Sequence, residues 1–181
     1  MNFDRLEKNL CDNILEAQIK LGYDGRPMSL NYMLTSLRHL IGKKCSQAEM
    51  EHILFNFADH VEPKLGNISF RPITNGFCIT VPSEGTAYIN SSSDGKEFIR
   101  SLIEAVRSHA GLDEIVGVFR SYSDDVAFSD SDNGEYQYLI YFPDGTPDDY
   151  RYCIAVEDEM DGSTHITYHR FIKEDFEDFG F

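Results

Sequence analysis

The chain has no long apolar run, no closely paired cysteines and few basic groups in its last third, and each shortage excludes something. No stretch of about 18 apolar residues occurs, so no membrane-spanning helix is expected. The longest turn-free apolar stretch, Tyr138-Leu139-Ile140-Tyr141-Phe142, is strand-sized. The four cysteines, Cys11, Cys45, Cys78 and Cys153, form no C-x-x-C pair of the zinc or redox kind. Met1-Asn2-Phe3-Asp4-Arg5 lacks the basic-then-apolar pattern of an export signal. Scattered thiols without such a signal read as reduced cysteines in a cytoplasmic protein. Also missing are G-x-S-x-G, a glycine-rich phosphate loop, and a cysteine with a histidine at motif spacing. The expectation therefore leans away from an enzyme and calls for no cofactor. A catalytic group assembled only by the fold stays open as a third reading.

What is present is a globular composition. Apolar residues make up 41% of 181, which excludes a wholly disordered chain. A chain of this length buries roughly 70% of its unfolded surface, enough for one core or two small ones. The net charge is −15, and it is uneven. Residues 1–65 carry 8 basic and 9 acidic side chains, and residues 66–120 carry 5 and 6. Residues 121–181 carry 3 and 16, a net −13. Such a surface repels nucleic-acid phosphates and anionic lipid heads and favours a cationic partner.

Helical spacing dominates the first third. Phe3, Leu6, Leu10, Ile14, Ala17 and Leu21 step by three and four. Leu30, Met33, Leu34, Leu37, Leu40 and Ile41 repeat the pattern and predict a second helix over 30–41, closed by Gly42. Ser46-Gln47-Ala48-Glu49 is a capping box that opens a third helix, with Met50, Ile53, Leu54, Phe57 and Val61 inward and Pro63 as its end. The period then changes. Ile68–Arg71 and Phe77–Val81 flank Asn75-Gly76 and predict a hairpin with a type I′ turn. Pro72 marks the first of these strands as an edge. Residues 86–90 read as a short strand, and Asp94 as the cap of a fourth helix that carries Phe98, Ile99, Leu102, Ile103 and Val106. Residues 113–121 suit helix or strand.

The last third reads as an antiparallel meander. Tyr136, Tyr138, Ile140 and Phe142 alternate, as do Tyr150, Tyr152, Ile154 and Val156, and then Thr164, Ile166, Tyr168 and Arg170. Turns at Asp144-Gly145 and Asp161-Gly162 join them. Ile172, Phe176 and Phe179 suggest a short helix docked on the sheet. The expected class is α+β. Residues 1–82 form a helical segment with a hairpin, and 83–181 a helix with an acidic sheet, as two segments or one domain.

Three constellations bear on function. Three helices followed by a hairpin is the element order of a winged helix. In that reading 46–60 is the reading helix, and Arg38, Lys43, Lys44 and Arg71 are the candidate phosphate contacts. Against DNA, that helix offers Gln47 and Asn56 as base readers but three carboxylates, Glu49, Glu51 and Asp59, beside them. Metal-like spacings fail closer inspection. Glu49-x-x-His52 occurs once, where di-metal bundles need it twice. His165 and His169 lie about 13 Å apart along a strand. Asp130-Ser131-Asp132-Asn133-Gly134-Glu135 lacks the glycine and terminal glutamate of a calcium loop, and a turn at Asn133-Gly134 explains it better. The third constellation is a crowd of tyrosines among carboxylates. Tyr138, Tyr141 and Tyr152 are the candidate contacts for a basic protein partner, with one face of the same sheet serving as core. Immunity and adaptor proteins share this profile by analogy.

The run Leu6-Glu7-Lys8-Asn9-Leu10 resembles an uncharacterised domain family of anaerobic gut Firmicutes. Glu16-Ala17-Gln18 to Gly22-Tyr23, Tyr32, Ser36-Leu37 and Leu40-Ile41-Gly42 share that likeness. The similarity covers the first 60 residues best and extends to the whole chain. It implies a bacterial cytoplasmic protein and brings no activity or site residues with it.

Overall fold

Leu6, Leu10 and Ile14 fall on one side of α1 (Asp4–Leu21) and are fully buried. The Asn2 side chain accepts from the Asp4 N–H at the helix start. The computed structural model describes residues 2–92, 96–131, 134–158 and 164–178. Within it the chain divides into two compact units, Met1–Asp94 and Gly95–Phe181.

In the first unit α1 is followed by β1 (Met28–Met33), α2 (Leu34–Ile41), α3 (Gln47–Leu65), β2 (Ser69–Ile73), β3 (Gly76–Val81) and α4 (Ser83–Ser91). The sheet order is β1-β3-β2, antiparallel throughout. Helix, strand, two helices and a hairpin that pairs back onto the first strand is the element order of a winged helix, with β2–β3 in the place of its wing. The expected edge strand carrying Pro72 is β2.

Four local expectations are corrected. The predicted helix over 30–41 begins only at Leu34, because 28–33 is a strand. Leu30 and Tyr32 face Ile79 and Phe77 across the ladder, and Met33 is exposed. The helical spacing of Leu30 and Met33 is overridden by pairing with a strand some 45 residues later. Pro63 lies inside α3, which runs to Leu65 and ends at Gly66. A proline removes one i→i−4 bond from the ladder, yet the helix runs two residues further and the Gly66 N–H donates to the Glu62 carbonyl. The hairpin turn is Thr74-Asn75, with Asn75 at φ 57°. Gly76 is already paired, and a Cβ there would stand 2.0 Å from the Tyr32 carbonyl oxygen. Its glycine therefore serves close strand approach, not a left-handed turn. Residues 86–90 belong to α4 and not to a strand. Thr86 and Ile89 are buried one turn apart, and the Thr86 hydroxyl donates to the Ser83 and Arg26 carbonyls.

The second unit contains α5 (Lys96–Arg107), α6 (Leu112–Arg120), β4 (Ala127–Asp130), β5 (Tyr138–Tyr141), β6 (Arg151–Asp158), β7 (Thr164–Phe171) and α7 (Lys173–Asp178). The ambiguous 113–121 stretch is helical, and Glu114 reaches back to the Gly111 N–H at 2.8 Å. The strands pair in chain order, β4-β5-β6-β7, as an antiparallel meander. Strand β4 adds an edge that the sequence pattern did not predict. One sheet face packs its aromatics together: the Phe98 ring meets Phe119, Phe142 and Tyr152 edge-on within 5.7 Å. The other face buries Tyr136, Cys153 and Ala155 with Leu139, Phe171 and Phe176, so the short terminal helix docks through Phe176. The cap at Asp94, the contact of Phe179, and the turns at Asn133-Gly134 and Asp161-Gly162 lie wholly or partly outside the described residues.

Two glycines should respond with opposite signs. Gly76→Ala is expected to destabilise by about 2 kcal/mol or more, since backbone must shift. Gly117→Ala, at an exposed position of α6 with open space around it, should stabilise by about 0.5–1 kcal/mol. Urea unfolding of both variants checks the pair, and equal effects would contradict the close β1–β3 register at Gly76.

Candidate functional site

Charge separates the two units. Met1–Asp94 holds 9 basic and 11 acidic side chains, and Gly95–Phe181 holds 7 and 20. The three cations of the acidic sheet region are committed locally. Arg151 lies 3.9 Å over the Tyr141 ring and Arg170 lies 4.2 Å over Tyr150. Lys173 sits 3.8 Å from Glu177 on the next turn of α7.

The three candidate tyrosines occupy different places. Tyr152 is fully buried, ringed by Phe98, Phe119 and Tyr168. Its hydroxyl donates to Asp148 at 2.6 Å, and burial, with Asp148, pushes its pKa well above the usual phenol value. It is a core residue and cannot touch a partner, which corrects the expectation for that position. Tyr141 is half-buried with Arg151 across one ring face. Tyr138 is half-buried and stacks on Phe128 at 5.5 Å and 23°.

That stack sits at the β4 edge. Phe128 is 40% exposed, Asp130 pairs opposite Tyr138, and Asp124 and Asp125 directly precede the strand. All three carboxylates are exposed and hold no ion pair among the described residues. The outer side of β4 pairs with no other described strand. An aromatic pair, an open backbone edge and three carboxylates thus share one place. Phe128 escaped the sequence reading because four residues give too short an alternation. The signal was Phe128 beside Asp124-Asp125.

Three of the four basic candidates in the first unit stand at the α2–α3 turn, and the fourth is on β2. Arg38 donates from Nε to the Cys45 carbonyl at 2.8 Å and braces the α2–α3 turn. Lys43 and Lys44 are exposed in that turn. Arg71 is exposed on the open sheet face, opposite to the side on which its neighbour Phe70 meets α3. Gln47, a supposed base reader, is spent on the wing, donating to the Ile73 and Gly76 carbonyls at 3.1 and 3.2 Å. Glu49 closes the capping box. Its carboxyl is held below the usual range by the Ser46 N–H, then the Ser46 hydroxyl, with weaker help from Lys43.

Other reactive groups have structural partners. Glu7 joins α1 to α3 by holding Lys64 at 2.6 Å and His60 at 3.3 Å. All four cysteines are unpaired. Burial, then Glu7 and Asp12, push the Cys11 thiol up to about 12, and burial, then Glu135, push Cys153 up to about 11. No group of three metal-ligating side chains stands together among the described residues. No described helix is long and apolar enough to cross a membrane.

Over residues 3–180 the chain matches the model of a family described as "Domain of unknown function, E. rectale Gene description (DUF3877)". The resemblance read from the first 60 residues therefore runs along nearly the whole length. No curated protein and no solved structure matches the chain.

The raised thiols give a direct check. At about pH 8 roughly one Cys11 in ten thousand and one Cys153 in a thousand carries a thiolate. Iodoacetamide on the folded protein should leave both unmodified in peptide mass maps, and label both after unfolding. Rapid native labelling would contradict the raised thiol at half-buried Cys11 and the burial of Cys153.

Proposed function

We propose that this chain, which belongs to the family of unknown function described for E. rectale, is a cytoplasmic, non-enzymatic protein-binding module whose acidic C-terminal unit meets a basic partner. The observation that carries this reading is the β4 edge, where the Phe128–Tyr138 stack adjoins Asp124, Asp125 and Asp130. An open edge offers unpaired N–H and C=O groups to an incoming strand. The aromatic stack supplies apolar contact, and the carboxylates choose the charge of what arrives. A second copy of the chain brings the same carboxylates and is repelled. A strand bearing lysine or arginine is attracted and steered from a distance.

A second reading keeps the first unit as a DNA-binding regulator. The winged-helix order and the exposed Lys43 and Lys44 favour it. The carboxylates Glu51 and Asp59 on α3 oppose it, as does the use of Gln47 and Arg38 in bracing.

A labelled peptide of alternating lysine and valine is the probe for the first reading, with a glutamate–valine peptide as control. The lysine peptide should bind, and binding should fade toward about 0.5 M salt. Replacing Asp124, Asp125 and Asp130 together by asparagine should weaken it about tenfold, and Phe128→Ala by a similar factor. Equal binding of both peptides, or indifference to these substitutions, overturns the reading. For the DNA reading, Lys43→Ala with Lys44→Ala should weaken duplex binding and flatten its salt slope. Absence of binding to random duplex at about 50 mM salt disposes of it.

A further inference from the structure

Helix α3 buries Met50, Ile53, Leu54, Phe57, Val61 and Leu65 on one side. The opposite side carries Ala48, Glu51, Phe55, Asp59 and Glu62, which step by three and four and so form one stripe. Phe55 at its centre is 57% exposed. A single exposed phenylalanine is ordinary, but this one is held in place. Its ring meets Phe70 of β2 edge-on at 4.9 Å, and Phe70 meets Phe77 of the core at 6.3 Å. The wing thus props the ring outward instead of covering it.

The carboxylates along the stripe are uncommitted. Glu51, Asp59 and Glu62 make no ion pair and no side-chain hydrogen bond among the described residues. Elsewhere in the same unit Glu7, Asp12, Glu16 and Asp24 each hold a cation. Phosphates are repelled by this face, which opposes the groove-binding role that its place in the topology would suggest.

We infer that this stripe docks a cationic amphipathic helix from another protein, with an apolar side chain of that helix on Phe55 and its lysines or arginines on Glu51 and Asp59. Spacing defines the ligand. Glu51 and Asp59 lie four residues to either side of Phe55, a span of about 12 Å along the helix. A partner helix with an apolar residue flanked by basic residues at i−4 and i+4 presents the same span and the opposite charge. The binding mode is an amphipathic helix laid along α3, with one apolar contact at Phe55 and charged pairs on either side of it fixing register. This surface belongs to the first unit and is independent of the β4 edge.

The probe is a labelled helical peptide with leucine flanked by lysine at i−4 and i+4. Controls are a scrambled peptide of equal charge, a glutamate counterpart, and a short DNA duplex. The readouts are fluorescence anisotropy and backbone amide shifts of the full chain. The lysine peptide should shift amides of α3 and β2, and the controls should not. Phe55→Ala should weaken it about tenfold, and Glu51→Gln with Asp59→Asn should do the same while flattening the salt dependence. Phe55 and Asp59 are exposed and Glu51 half-exposed, so circular dichroism should be unchanged, and melting should fall only slightly in Phe55→Ala through loss of the Phe70 ring contact. The inference is overturned by no α3 shift at about 1 mM peptide, by equal binding of the scrambled peptide, or by indifference to Phe55→Ala. A duplex that shifts the α3 amides also overturns it. Lysine-peptide shifts confined to residues 124–141 overturn it too, while leaving the β4 proposal standing.

Discussion

Seven basic side chains cannot neutralise twenty acidic ones within Gly95–Phe181, however they are arranged. That self-repulsion is the constraint under which this unit folds. Burial of aromatic surface opposes it: Phe98, Phe119, Phe142 and Tyr152 interlock at ring distances near 5 Å, largely edge-on. Arg151 and Arg170 lie on tyrosine rings, which places part of the small cation supply on the sheet itself. The carboxylates ahead of and within β4 keep no such company. A basic partner arriving there would relieve repulsion that the unit cannot relieve alone, so electrostatics and the open edge favour the same class of ligand.

The first unit solves a different problem. Its charges nearly balance, and several are paired in short links: Glu7 to Lys64, Glu16 to Lys20, Asp12 to Lys8. Its winged-helix order comes from non-local pairing of β1 with β3, and Gly76 permits the close approach. Within that frame α3 departs from the chemistry of a DNA reader. Its outward stripe couples an aromatic ring to free carboxylates, and Gln47 is tied to the wing.

Legibility in the sequence followed locality. The α3 capping box, the strands of the hairpin and the alternation along β6 and β7 depend on residues close in the chain and form as the pattern implies, whereas the hairpin turn shifts by one residue and Tyr136 leaves the face of Tyr138 and Ile140 to pack with Cys153 and Ala155. Strand β1 was hidden because Leu30 and Met33 also fit a helical step, and only the distant Ile79 and Phe77 decide otherwise. Helix α4 was hidden by the alternation of Thr86, Tyr88 and Asn90, against which Gly85 fits closely beneath the Leu65 carbonyl. At the site, Tyr138 and Tyr152 share one sheet face, yet depth separates them. Tyr152 sits beneath Phe98 and Phe119, while Tyr138 lies beside the edge. Alternation reports the face and is silent on distance from the edge. Phe55 had a local signal, an aromatic residue off the inward stripe of an otherwise regular helix.

Hydrogen exchange at residues 127–130, with and without the lysine–valine peptide, tests the central claim most directly. An added strand must hydrogen-bond the outer backbone of β4, so exchange there should slow when the peptide binds, at low salt only. Exchange at β4 that is unchanged while the peptide is bound would contradict the account.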